Sequence, residues 1–368
     1  MLSIDQLSAH LDRLAEWDSG PFPVVSLYLN LQPDDRGRDQ FAPFLRKELD
    51  ERIATYGAQG PERDSLMKDA EKIRAYAEQV EPSANGLALF TSSGADLFEA
   101  MPLAVPIAEH RLYVSDQPHL YPLARLIDEH PRYAVLLADT HSARIFVFAV
   151  NTVERQAAIE GTKTKHHKKG GWSQARYQRH TENYHVHHAK DIVDALTRIV
   201  RDEKIASVII AGDEVIVPLL KEQLPKDIAE RVVDELKLDI RTPDREVFDT
   251  TMATMRESDA QSDRERVDAL LNAYRGNGLG VLGPDAVRQA LEMGQVDELV
   301  ITAQPETLST GTAASVEQDT PADRTAEEKV ADELVAKARQ TSAKITFIED
   351  ASLLADVGGV GARLRFKL

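Results

Sequence analysis

The sequence predicts a multidomain α/β fold. Apolar runs of strand length alternate with amphipathic stretches of helical period through nearly the whole chain. At 368 residues the chain exceeds what one ordinary core accommodates, so two or three domains are expected. Charge is divided as if by domain: residues 1–130 hold 12 basic and 22 acidic side chains, 131–245 hold 19 and 17, and 246–368 hold 13 and 22. Only the middle third escapes the acidity that gives the chain a formal net charge of −17.

In the first region, 1–130, a helical pattern runs from Ile4 to Trp17 and should stop at Pro21-Phe22-Pro23. Val24 to Asn30 reads as a strand, two polar amphipathic stretches follow at about 37–56 and 61–80, and Gly86 to Phe90 reads as a second strand. The second region, 131–245, opens after His130-Pro131 with apolar runs at 133–139 and 143–148. The short polar turn Thr140-His141-Ser142 between them implies a hairpin. Ala189, Ile192, Val193, Leu196, Ile199 and Val200 fall at helical spacing, then come a buried strand over 206–212 and a helix ending before Pro225. The third region, 246–368, starts with a long polar helix to about 275 and the turn Gly276-Asn277-Gly278. Strand, helix and strand follow at 279–282, 284–294 and 298–302. A Thr-, Ser- and Pro-rich stretch from Ala303 to Arg324 reads as a mobile loop. A helix at 325–341 and strands at 345–348 and 361–366 close the chain, and there is no period that would indicate repeats.

Composition excludes several function classes. With no cysteine there are no disulfides, thiolate ligands or cysteine nucleophiles. The opening Met1-Leu2-Ser3-Ile4-Asp5 lacks a basic segment followed by an apolar one, and no run approaches the ~18 apolar residues of a membrane span; a cytoplasmic protein with no membrane partner is expected.

The most distinctive stretch is Lys165-His166-His167-Lys168-Lys169-Gly170-Gly171-Trp172-Ser173-Gln174-Ala175-Arg176-Tyr177-Gln178-Arg179-His180. From 163 to 179 it holds six Lys or Arg and no Asp or Glu, around a glycine pair, between a strand and a helix. Phosphate attraction is therefore local to one loop, which suits RNA contact better than a broad nucleic-acid-wrapping face.

Taken in order, the three regions resemble the archaeal and eukaryotic class I peptide-chain release factors and their relatives Pelota and the Vms-type peptidyl-tRNA hydrolases, here as a bacterial-type member. Lys168 to Arg176 is similar to that family's lysine-preceded Gly-Gly-Gln loop, with Trp172-Ser173 inserted before the glutamine, an arrangement closer to the Vms-type loop than to the strict release-factor one. Leu282-Gly283-Pro284-Asp285-Ala286-Val287-Arg288-Gln289-Ala290-Leu291-Glu292-Met293-Gly294 resembles the family's "ALEMG" signature, and Gly358 to Phe366 its glycine-rich last strand. The resemblance implies a release-factor-like architecture of three domains. The middle domain would be RNase-H-like and carry the GGxxQ loop, and the C-terminal one would be like kink-turn-binding ribosomal proteins. Stop-codon readers of the family carry Asn-Ile-Lys-Ser in the first domain. Nothing like it occurs near Leu49 to Tyr56, so rescue or quality control on stalled ribosomes is expected rather than codon-directed termination.

By that resemblance Gly170, Gly171 and Gln174 form the catalytic loop of a peptidyl-tRNA hydrolase. Lys165, Lys168, Lys169, Arg176 and Arg179 would bind phosphates of ribosomal or transfer RNA, and Trp172 would stack on a base. Peptidyl-tRNA is an ester, so its release needs a directed water and donors for the developing oxyanion, with no cofactor. The implied partners are the ribosome and a translational GTPase. The alternative is a non-enzymatic hibernation or stress factor that occupies the A site. Six of the eleven histidines, 166, 167, 180, 185, 187 and 188, crowd one segment; without an acidic or thiol pattern beside them they read as RNA-facing or exposed, and no metal is assigned. Asp139 is open to two readings, a nuclease-type carboxylate at a strand end or the residue that shapes the hairpin turn. The acidic stretches 254–268 and 317–333 read as solvated surface.

Overall fold

A computed structural model describes residues 2–367 except 19, 34–36, 38–39, 57–58, 150–151, 161–173 and 313–323, and leaves the side chains of residues 152, 160 and 174–183 undescribed. It is an α/β protein with three sheets, and its residues divide into two compact units, 1–130 with 260–368, and 131–259.

The first unit contains two of the sheets. Helix α1 (Ile4–Glu16) starts at a capping box in which Ser3 Oγ accepts from the Gln6 N–H and the Gln6 side chain accepts from Ser3 N–H. Strands β1 (Val24–Asn30), β2 (Gly86–Ser92), β3 (Leu97–Leu103) and β4 (Arg111–Ser115) form an antiparallel sheet in the order β3-β2-β1-β4. Alternation along β1 sends Val25, Leu27 and Leu29 into a core with Leu45 and Leu49 of α2 (Phe41–Thr55) and Leu66, Ala70 and Ile73 of α3 (Pro61–Ala77). Ser26 and Tyr28 alternate with those core residues; Ser26 Oγ accepts from His119 N–H at 2.9 Å, and Tyr28 Oη donates to the His119 carbonyl at 2.6 Å. Helix α4 (Tyr121–Glu129) follows at once.

The chain's last third supplies β10 (Gly280–Leu282), β11 (Val296–Thr302), β12 (Lys344–Ile348) and β13 (Val360–Leu364), ordered β10-β13-β11-β12 with only β11 and β12 parallel, together with α9 (Pro284–Glu292) and α10 (Ala326–Gln340). Helix α10 packs on both α1 and α4, so the first and last thirds share one interior. The expectation of solvated surface over 317–333 fails here: Asp332 is buried, accepting from His119 Nδ1 at 2.5 Å, from Tyr121 N–H at 2.9 Å and from the guanidinium of buried Arg324. Arg324 also donates to Ser115 Oγ at 2.5 Å. Asp263, expected on a solvated face, is likewise buried.

Asp128 on α4 accepts from Phe347 N–H of β12 at 2.8 Å. Burial pushes its pKa up to about 6, against that N–H and the Lys344 and Arg266 cations, which lower it. The folded chain therefore holds this proton up to about pH 6, whereas the unfolded chain releases it near 4, so stability declines as pH rises through that window. Asp128→Asn keeps the acceptor and is expected to stabilise the protein near pH 7.5 by up to about 3 kcal/mol, with the gain gone near pH 4; urea denaturation at the two pH values checks it.

The second unit is one five-stranded sheet ordered β7-β6-β5-β8-β9, from β5 (Tyr133–Ala138), β6 (Ser142–Ala149), β7 (Thr152–Glu160), β8 (Ser207–Gly212) and β9 (Val232–Leu236). An antiparallel meander, β5 to β7, meets two parallel strands, β8 and β9, and this is the RNase-H-like arrangement expected of the middle region. One face packs against α5 (Gln174–Asp202), α6 (Ile216–Gln223) and α7 (Lys226–Ala229). The other packs against Val247, Met252 and Met255 of α8 (Asp244–Arg275), whose residues up to Asp259 belong to this unit.

Candidate functional site: the loop-bearing helix of the middle sheet

The basic glycine-containing run joins β7 to α5. Lys165, Lys168, Lys169, Gly170, Gly171 and Trp172 lie outside the described residues; Gln174, Arg176 and Arg179 lie on α5, where the backbone is helical and the side chains are undescribed.

What holds this helix is clear in the sequence. Ala189, Ile192, Val193, Leu196, Ile199 and Val200 recur at helical spacing and are all buried against the sheet. Among the described side chains of α5, His188 is the first that is buried. Gln174 is 14 positions earlier, about 21 Å along a helix that rises ~1.5 Å per residue. As the first residue of α5, Gln174 also sits where helix N–H groups have no partner within the helix and the helix dipole is positive.

The base of the helix meets the end of the β5–β6 hairpin. Asp139 Oδ1 accepts from the N–H groups of His141 (2.8 Å) and Ser142 (2.7 Å) and from Ser142 Oγ (3.2 Å), so Asp139 shapes the turn. Of its two readings, this is the one the geometry bears out. His188 corrects the expectation that the clustered histidines face RNA or solvent. It is 3% exposed, its Nε2 has no hydrogen-bond partner among the described residues, and its ring stacks on Tyr184 with centroids 6.2 Å apart. Burial lowers its pKa; Asp139 and Asp191 act against that, and His141 and His185 add to it. No group of three or more metal-ligating side chains converges among the described residues, and none of the described helices is long and apolar enough to cross a membrane.

The other two sequence signatures do structural work. Gly283, at a φ of +83°, turns the chain into α9 with Pro284 in the first turn. Asp285 accepts from Thr312 N–H (3.1 Å) and Oγ1 (2.9 Å) and from Arg288 Nη1 (2.9 Å), tying the segment after β11 to that helix. At Gly361 a Cβ would lie 2.6 Å from Leu270 Cδ2 and 2.9 Å from Leu282 Cδ2, so any side chain there would have to displace the ends of both leucines where α8 approaches the strand.

A profile described as "Bacterial archaeo-eukaryotic release factor family 10" matches residues 118–256, and one for "eRF1 domain 3" matches 260–368. No curated protein sequence matches significantly. Among solved structures, the archaeal translation termination factor aRF1 is 17% identical, with 99% of each chain covered and a TM-score of 0.29. Yeast (S. cerevisiae) Dom34, a translation termination-like factor of RNA quality control that interacts with Hbs1, is 11% identical over 77% of this chain and 80% of its own, with a TM-score of 0.41. A model of ribosome-bound archaeal Pelota and ABCE1 is 15% identical over 100% and 95%, also at 0.41.

Proposed function

The chain belongs to the archaeo-eukaryotic class I peptide-chain release-factor superfamily, as a bacterial-type member, and on that premise we propose that it is a ribosome-associated rescue factor that hydrolyses the peptidyl-tRNA ester independently of stop-codon identity. One observation carries the reading: in the sequence a lysine-flanked glycine pair leads directly to Gln174, the first residue of a helix in which the first buried side chain among the described residues, His188, comes about 21 Å further on. A glycine-glutamine loop so carried can enter a narrow cavity while the sheet stays outside it.

The chemistry asks little of acid–base groups. Gln174 offers an amide donor and acceptor in its side chain and a backbone N–H at the start of α5. The side chain orients a water toward the ester carbonyl, and the N–H groups of the first helical turn favour the oxyanion that develops. Gly170 and Gly171 allow a close backbone approach and positive φ. The proton leaves through the ribose hydroxyl of the terminal adenosine. Lys165, Lys168, Lys169, Arg176 and Arg179 bind RNA phosphates, and Trp172 stacks on a base. In this reading a translational GTPase is the accompanying partner.

The test combines co-sedimentation with ribosomes and release of labelled peptide from stalled complexes. Binding with release is the expected result. Binding without release would select a factor that only occupies the A site, and no binding would defeat both readings.

A further inference from the structure

His188 is a buried ionisable group that the proposed chemistry does not use, and it sits where α5 changes from exposed to buried. The preceding positions Val186 and His187 are exposed, while His188 and Ala189 are not. On one side the ring stacks on Tyr184, nearly parallel at 12°, and Tyr184 in turn meets His185 edge-on at 5.9 Å. Beside it the Asp139–Ser142 turn is fixed by three hydrogen bonds to one carboxylate oxygen. The ionisable groups that act on the ring are Asp139 and His141 from the turn and Asp191 and His185 from its own helix. Nε2 is enclosed without an acceptor among the described residues, so a proton added there would be a buried cation with no described hydrogen-bond partner.

We propose that His188 is a positioning residue that seats the loop-bearing helix while its ring is neutral, and that protonation unseats the part of that helix around it, Tyr184–Ile192, weakening in acid the hold on the residues that precede it. The seat itself rests on the geometry; only its effect on a hydrolytic rate rests on the reading above. A histidine whose folded pKa is lowered by burial takes up protons more readily when unseated, so seating is complete above the ordinary value of about 6.5 and is lost as pH falls below it.

His188→Phe keeps a flat ring for Tyr184, cannot take a proton and leaves no unsatisfied nitrogen. In the intact chain, amide exchange across Tyr184–Ile192, corrected for intrinsic rate and referred to β5 amides, is expected to be faster near pH 5.5 than near pH 7.5, by up to about tenfold. In the Phe variant it should be the same at both. No pH difference in the wild type, or a difference that persists in the variant, overturns the inference. Should the variant not fold, the wild-type titration of His188 decides. A ring that titrates below its ordinary value together with the 184–192 amide shifts supports the seat, and one that titrates at or above that value overturns it. If exchange behaves as expected while peptide release is absent at every pH, the seat stands and the hydrolase reading falls.

Discussion

Gln174→Ala is expected to slow peptide release from stalled ribosome complexes by at least tenfold and toward the ~100- to 1,000-fold that loss of one well-placed oxyanion or water-orienting donor costs. The backbone N–H groups of α5 survive the change, so the residual rate should stay above the spontaneous one. Ribosome affinity should hardly move, because attraction to RNA phosphate resides in the lysines and arginines. Arg176→Ala or Lys168→Ala should do the reverse, weakening binding and flattening its salt dependence with a smaller effect on the bound rate. This contrast separates a catalytic glutamine from one that only shapes the loop. Equal release rates for Gln174→Ala and wild type would remove Gln174 from the chemistry.

Asp332→Ala is expected to be the most destabilising single change outside the hydrophobic cores, at about 3–5 kcal/mol. The carboxylate accepts from His119, from the Tyr121 N–H and from Arg324, and it joins α10 to the first third of the chain. Its removal leaves the guanidinium of Arg324 buried without its counter-charge. Asp332→Asn should cost less, since an amide oxygen still accepts while the countercharge is lost. Burial alone would push the Asp332 pKa up; His119, Arg324 and the Tyr121 N–H override it and hold it below the usual carboxylate value. A depressed folded pKa gives stability that is present above the unfolded value near 3.9 and is lost as pH falls below it. Chemical denaturation should therefore show the wild-type advantage over Asp332→Ala in full at neutral pH and shrinking below about pH 4.

How far the fold is legible in the sequence depends on where each strand lies in its sheet. β1, β2, β5, β6 and β8 announce themselves as apolar runs because neighbours cover them. β3, β4, β7 and β9 do not, and each is an edge strand. In β7, Thr152-Val153-Glu154-Arg155-Gln156 is polar because much of that strand faces water, so the run that leads to the loop does not look like a strand. β12 is an edge strand as well, yet its Ile345-Thr346-Phe347-Ile348 is legible because α4 and α10 pack on it.

The residue types of the proposed loop are plain in the sequence. Its setting was half legible: the i, i+3, i+4 stripe of α5 is plain in the sequence, but the helix reaching back to Gln174 is not, since 174–187 carries no apolar stripe. His188 and Asp332 were misread for one reason. Each is a polar residue in a polar-looking helical stretch, and each is buried where groups distant in sequence act on it, Asp139 and His141 on the first and His119 on the second. Only tertiary structure reveals such burial.

In the proposed reading the glycine–glutamine run that leads to α5 cleaves peptidyl-tRNA without reading a codon. Single-turnover release of labelled peptide from ribosome complexes that differ only in the A-site triplet tests it most directly. Release at equal rates on a sense codon, a stop codon and an empty A site is the predicted result. Release confined to stop codons, or no release from a complex to which the protein is bound, would contradict it.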